Sequence, residues 1–331
     1  MRSEIAEAPG VFARAIANSM SNSARSTLLA LEPANARAFY TIARGSSDAA
    51  ANILAYEFMR ETGKPMTSLP PSVFSIGRGV EMGGTISLFV SQSGASDDLV
   101  RSARGARSKG SAVIGIVNQP GSAIEAAANL TLPIAAGPEL AVPATKTVIG
   151  SIAAGMALLS ALVPSYAPRA AASAKIFVGL GGIHPMTQAI TSALLRADHV
   201  YVIGRDTGYG AAQELALKIK ETCALHAEAY SSSEVLHGPL QLATNPLLIL
   251  LLDTDQPDVQ ASLDMAESRF RATGGTVYRI RPSDVGARDL TPAAAAAALL
   301  YLTYPLVLAT ALALGHDPDR PATLSKVTQT T

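Results

Sequence analysis

Apolar and polar positions follow two rhythms along this chain. Short continuous apolar blocks, among them ISLFV (86–90), SAVIGIV (111–117), ILLL (249–252) and GTVYRI (275–280), have the length and residue types of strands. Between them run longer amphipathic stretches with helical spacing. Short strands alternating with helices build βαβ units around a parallel sheet.

The pattern also repeats. RAFYTIARGSSDAAANILAYEFMRETG (37–63) resembles DHVYVIGRDTGYGAAQELALKIKETC (198–223) at an offset near 161, with a one-residue gap. Each is a β-type run, a turn bearing Arg and Gly, then a helix ending in Glu-Thr. ISLFVSQSG (86–94) likewise aligns with ILLLDTDQP (249–257). The expected fold class is α/β, with two tandem domains, each a doubly wound and mainly parallel sheet flanked by helices. The expected limits are an N-terminal helical segment 1–29, domains 30–165 and 190–315, a linker 166–189 and a tail 316–331. The Pro- and Ala-rich ALVPSYAPRAAASAK (161–175) marks the joint.

Composition narrows the classes. Of 331 residues, 48% are hydrophobic and 16% charged, ample for a packed core. Lys plus Arg and Asp plus Glu both number 26, so the basic excess of a nucleic-acid surface is missing. The single cysteine, Cys223, excludes an internal disulfide framework and fits a reducing cytoplasm. The five histidines do not pair at metal-ligand spacing, so no catalytic metal is expected; the reaction expected below needs no redox cofactor. The start, MRSEIAEAPG, lacks the apolar stretch of a secretory signal. The uncharged TPAAAAAALLYLTYPLVLATALALG (291–315) is long enough to span a bilayer. Its alanine run, Pro305 and the absence of basic flanks favour instead a buried helix or helix pair, at a subunit contact.

Candidate chemistry begins at SQSGASDD (91–98), directly after a strand. Ligands of open α/β sheets bind beyond the carboxyl ends of strands, where helix N-termini offer free N–H groups. Ser91, Ser93 and Ser96 add hydroxyls, Gln92 an amide, and Gly94 allows a tight turn. The absence of lysine excludes the nucleotide-triphosphate loop and points to the phosphate of a small molecule. The same residues also suit an ordinary helix cap, with Ser93 or Ser96 capping a first turn that contains Asp97 and Asp98. The second copy carries Asp253 where the first has Ser91. Asp would cap as well as Ser, but it would repel an anion. ARGSS (43–47) is a second hydroxyl-bearing turn at the first strand–helix junction, with the same two readings.

These stretches resemble the sugar isomerase (SIS) family, and in particular the isomerase half of glutamine–fructose-6-phosphate aminotransferase and its stand-alone double-SIS relatives. The family's phosphate loop is matched by Ser91–Ser96, and its Gly-Thr-Ser turn by Gly45, Ser46 and Ser47. Its Val-Ala-Ser-Thr-Lys segment is matched by VPATK (142–146), where Pro143 and Ala144 replace Ala-Ser and a hydroxyl contact to the sugar is lost. ALKIKETCALHAEAYSSSEVLHGPL (216–240) and HDPDRPATLSKVT (316–328) match two further family blocks.

The resemblance implies roles. Ser46, Ser47, Ser91, Gln92, Ser93 and Ser96 would hold the phosphate of a sugar phosphate, and Val142 and Ser325 would contact the sugar. Glu221 would shuttle the carbon proton. Lys218, three residues earlier on the same helix face, would keep Glu221 ionised or polarise the sugar oxygen. His237 would open the ring from a neighbouring subunit, making a homodimer obligatory, and Lys326 would close over the sugar and form an imine. By themselves these residues read more plainly, as a solvated helix charge, a polar loop histidine and a tail lysine. His226 reads as structural, and His184, His199 and His316 have no special context. The chain shows neither a glutaminase domain nor its N-terminal cysteine. The expected reaction is therefore glucosamine 6-phosphate plus water to fructose 6-phosphate plus ammonia. A fructosamine-6-phosphate deglycase or a plain ketose/aldose isomerase is the alternative. A non-catalytic sugar-phosphate sensor is the rival from another class. Neither nucleic acid nor a membrane is an expected partner.

Overall fold

The computed structural model describes residues 1–181 and 183–326. Helices α1 (Arg2–Asn18) and α2 (Asn22–Ala30) lead into β1 (Ala38–Ile42), α3 (Gly45–Thr62), β2 (Met66–Ser68), α4 (Ser72–Ser75), β3 (Thr85–Ser91), α5 (Asp97–Ser108), β4 (Ala112–Val117), α6 (Ala123–Ala127) and β5 (Leu130–Pro133). Three helices follow, α7 (Lys146–Leu162), α8 (Ala167–Val178) and α9 (Thr187–Leu194). The second half runs β6 (His199–Gly204), α10 (Thr207–Cys223), β7 (His226–Ser231), β8 (Leu248–Leu252), α11 (Pro257–Ala272), β9 (Thr276–Ile280) and α12 (Pro292–Ala313).

Every strand pairing is parallel, in the orders β2-β1-β3-β4-β5 and β7-β6-β8-β9. The chain therefore leaves β1 in one direction and β3 in the other, and it does the same at β6 and β8. A crevice opens at each switch point, above the carboxyl ends of the two strands.

Side-chain alternation assigns the faces. Ile86, Leu88 and Val90 of β3, and Val200 and Val202 of β6, join one large apolar cluster with α1, α3, α7, α8, α10 and α12. Phe89 on the first sheet, and Tyr201 and Ile203 on the second, point the other way into separate outer clusters. The two halves thus share a central helical core.

Pairs of equivalent residues touch across the α3–α10 contact. Asn52 Nδ2 donates to Gln213 Oε1 at 2.8 Å, 161 positions apart. A Cβ on Gly210 would lie 2.9 Å from the carbonyl of Ala49, its equivalent. Self-contact of equivalent positions is the mark of a two-fold axis, here internal to one chain. Both helices end on a left-handed residue, Gly63 and Ala224. That shared end corrects the Glu-Thr alignment: Glu221 corresponds to Arg60 rather than Glu61.

One further expectation is corrected, and one is borne out. The stretch 161–175 is largely helix. α8 accepts a proline in its first turn, where the missing N–H has no partner to lose. Its Phe177 stacks on Phe12 with ring centroids 4.3 Å apart, so the segment belongs to the core. The segment 291–315 forms one helix, α12, that continues through Pro305. By length and composition α12 could cross a membrane, but 83% of its most apolar window is buried inside the chain, as the buried-helix reading expects.

Candidate active site

The first crevice is built by two turns. Ser91 closes β3, and its Oγ accepts from Gly94 N at 3.1 Å. Gly94 has φ +61°, and a Cβ there would overlap the Ser122 side chain, so only glycine fits. Ser93 Oγ accepts from Ala95 N at 3.3 Å. Ser96 occupies the N-cap of α5, yet its hydroxyl makes no capping bond. The Ser91 and Ser93 hydroxyls serve only as acceptors here, so their hydrogens remain to donate. Capping by Ser93 or Ser96 is therefore not what holds this turn. Gln92 is half-buried beside them. Across the switch point, Gly45 opens α3 at φ +53°, and Ser46 and Ser47 follow, both half-buried.

Asp97 and Asp98 would repel an anion at this helix start, but each is neutralised. Asp97 pairs with Arg101 at 2.8 Å. Buried Asp98 receives Arg44 Nε at 2.9 Å and Nη2 at 2.7 Å.

The second element is α10. Lys218 is fully buried between Glu214, 3.7 Å away, and Glu221, to which it donates a hydrogen bond. Burial opposes the Lys218 charge, but Glu214 and then Glu221 outweigh it and raise its pKa. Burial pushes the Glu214 carboxyl up to about 7, although Lys218, Ser46 and Tyr304 pull the other way. Tyr304 of α12 donates to Glu214 Oε1 at 3.2 Å, while Oε2 is buried without a partner. Ser46 lies close enough to Glu214 to draw its carboxyl pKa down, and a Cβ on Gly45 would lie 3.8 Å from Leu217, so the start of α3 meets α10 beside the ionisable trio. Sequence reasoning missed Glu214 and Tyr304. The Glu-to-Lys i,i+4 spacing of Glu214 and Lys218 was the available signal.

The third element is the loop before α7, together with the tail. Buried Glu139 accepts from Thr145 N at 2.9 Å, Thr147 N at 3.1 Å and Thr147 Oγ1 at 2.5 Å. Lys326 Nζ lies 2.6 Å from Ala141 O and 3.4 Å from Glu139 Oε2. These polar partners differ from the desolvated pocket expected for an imine-forming amine. Val142 N donates to Asp319 O at 2.9 Å, tying loop to tail. Ser325 is exposed just before Lys326. Val327 and Thr328, the last two residues of the tail motif, lie outside the described residues.

His237 is exposed after a 3-10 turn, and no side-chain contact joins it to Glu221. His226 packs edge-on against His199 at 5.5 Å. His184 has a context the sequence hid, being buried with Nε2 3.0 Å from Asp284 Oδ2. A cleft of about 540 Å³ opens at the end of α10, lined by Glu221, Lys220, His316, Arg320 and Leu324. Among the described residues, no group of three His, Cys, Asp or Glu side chains is placed to hold a metal ion.

The model of the SIS domain matches residues 34–161 and 193–282. The chain is 31% identical over 274 residues to glutamine–fructose-6-phosphate aminotransferase (isomerizing) of Aeropyrum pernix, covering 74% of this chain and 43% of that protein. It spans about half the length of the curated relatives it matches. A candidate phosphosugar isomerase from Silicibacter pomeroyi DSS-3 superposes with TM-score 0.85 at 31% identity, covering 96% of this chain and 99% of the other. A glucosamine-6-phosphate deaminase from Thermotoga maritima superposes with TM-score 0.72 over 97% of this chain and 100% of its own. At 19% identity, that second likeness shows the fold alone.

Proposed function

The chain belongs to the SIS domain family, and on that footing we propose that it is an isomerising deaminase of amino-sugar phosphates. The substrate is glucosamine 6-phosphate, and the products are fructose 6-phosphate and ammonia. The phosphate sits among Ser46, Ser47, Ser91, Gln92, Ser93 and Ser96. Val142, Ser325 and Lys326 line the sugar. In the open chain, Glu221 takes the C2 proton while the C1 carbonyl oxygen gains a proton, giving an enolamine. Returning a proton to C1 yields the C2 imine. Water then adds at C2 and ammonia leaves, so one water is consumed per turnover. Lys218 holds Glu221 ionised for the first step. His237 of a second copy opens the ring, so the working unit is a homodimer.

The observation that carries this reading is the packing of the Gly45–Ser46 turn against α10 at Leu217, beside Glu214. It brings the anion-suited crevice of one half against the acid–base trio of the other, as a phosphosugar with a reacting far end requires. The test is ammonia release from glucosamine 6-phosphate by the wild type, abolished in Glu221→Gln. Binding of the sugar phosphate without turnover of any phosphosugar would instead identify a sensor.

One observation favours a second reading. The cleft beside Glu221 presents Lys220, His316 and Arg320, none of which has a side-chain partner among the described residues. Such a cleft suits a carboxylate-bearing substituent on the departing nitrogen. Release of an amino acid from a fructosamine 6-phosphate, with no ammonia from glucosamine 6-phosphate, would select the deglycase.

A further inference from the structure

We infer that Arg44 is the cationic phosphate ligand of the first crevice, held in reserve by Asp98; this rests on the crevice being the phosphate site. The serine loop offers only neutral donors: hydroxyls, an amide and backbone N–H groups. A phosphate dianion held by neutral groups alone gains less than one that meets a guanidinium, because charge-assisted hydrogen bonds are roughly twice as strong as neutral ones.

Arg44 is placed to supply that charge. It ends the turn after β1, and its side chain crosses the switch point to α5, three residues from Ala95 in the serine loop. Its Nε and Nη2 are both committed to Asp98 Oδ2. Nη1 has no partner among the described residues, and the side chain is 53% exposed. Asp98 is 1% exposed, and its other oxygen accepts from Leu99 N at 2.8 Å. Burial raises the carboxyl pKa of half-buried Asp48 of α3, and Ser68 and then the Arg44 charge partly offset that rise. The guanidinium is therefore fixed by a buried carboxylate on one edge and open on the other. Planar, forked and permanently charged, it can engage two anions at once. With the crevice empty, Asp98 balances Arg44, and the arriving dianion takes the free edge.

A purely structural ion pair predicts that loss of either partner harms the protein in the same direction. A ligand held in reserve predicts opposite effects on binding. The experiment is calorimetric titration of inorganic phosphate and of glucosamine 6-phosphate into wild type, Arg44→Gln, Asp98→Asn and the double variant, with thermal melts of each. Arg44→Gln is expected to weaken both ligands about tenfold. Asp98→Asn, which removes the competing carboxylate, is expected to tighten them several-fold. The double variant restores neutrality around position 98, so it supplies a folded protein that still binds weakly. Equal affinity in wild type and the double variant, or weakened binding in Asp98→Asn, would overturn the role of Arg44 alone. If the wild type binds neither ligand, the phosphate reading of the crevice falls, and Arg44's role with it.

Discussion

The two crevices of this chain began as copies and now differ in what their polar groups are free to do. In the first, Gly45 and the hydroxyls of Ser91, Ser93 and Ser96 line the switch point with donors that have no acceptor among the described residues. In the second, the corresponding turns carry Asp206 and Asp253. Asp206 adopts φ 56°, ψ −132°, a conformation suited to glycine, and is held there by its own bond to Thr207 N and by Arg60. Asp253 is fully buried and takes Arg279, Arg281 and Gln260, which together hold its carboxyl below the usual range despite the cost of burial. Asp255 is closed by Ser283 at 2.9 Å through both N and Oγ. The same fold thus supplies two switch-point crevices whose polar groups are satisfied to different extents. The helices mirror this difference: α3 uses Arg60 to seal the second crevice, while its counterpart on α10, Glu221, is paired with Lys218 instead.

The strongest way to break this comparison is to exchange equivalent positions. Glu221→Gln is expected to lower kcat for glucosamine 6-phosphate about 10³-fold with phosphate affinity retained. Arg60→Gln, its mirror, is expected to leave kcat within about twofold. Similar losses in both, measured as ammonia release, would erase the distinction between the crevices.

Next in size, Asp253→Ala strands two arginines and is expected to cost about 3 kcal/mol in urea unfolding. Ser91→Ala should cost under about 1 kcal/mol while weakening phosphate binding several-fold. If the stability costs come out reversed, the second crevice is not the structural one.

A third expectation concerns pH. Burial pushes the carboxyl of Glu57, which accepts from Tyr166 at 2.7 Å, up to about 7, and Glu214 rises to the same region. Both folded values exceed the unfolded ones, so the folded state binds more protons between about pH 4.5 and 7. Stability should therefore fall as pH rises through that window, by roughly 3 kcal/mol for Glu57 alone. A melting temperature that rises from pH 5 to pH 7.5, and stays higher in wild type than in Glu57→Gln at pH 7.5, would contradict this.

The smallest expected effect is at the helix ends. Ala224 takes the left-handed cap that Gly63 takes in α3, so Ala224→Gly should stabilise by about 1 kcal/mol in the same unfolding assay.

Much of the fold was legible in the sequence because burial on both faces writes strands such as β3 and β8 as unbroken apolar runs. The duplication was legible for the same reason. β2 and β7 are edge strands, short or half-exposed, and their polar residues carry no such signature. The stretch 161–175 misled because proline and alanine suit a linker and the first turn of a helix equally. Of the candidate site, the serine loop was readable from local chemistry. Glu221, His237 and Lys326 stood out only through resemblance. Glu214 was hidden because a buried carboxyl and a surface one look alike until Tyr304 and Ser46, distant in sequence, are brought to it. Contacts within one chain do not bring His237 to the trio, so its proposed role needs a second copy.

The most direct test is a crystal structure with glucosamine 6-phosphate bound. The phosphoryl oxygens should lie within hydrogen-bonding distance of Ser91, Ser93 and Ser96, with C1 and C2 beside the Glu221 carboxylate. A phosphoryl group seated instead on Arg279 and Arg281 in the second crevice, or carbons out of reach of Glu221, would contradict the account.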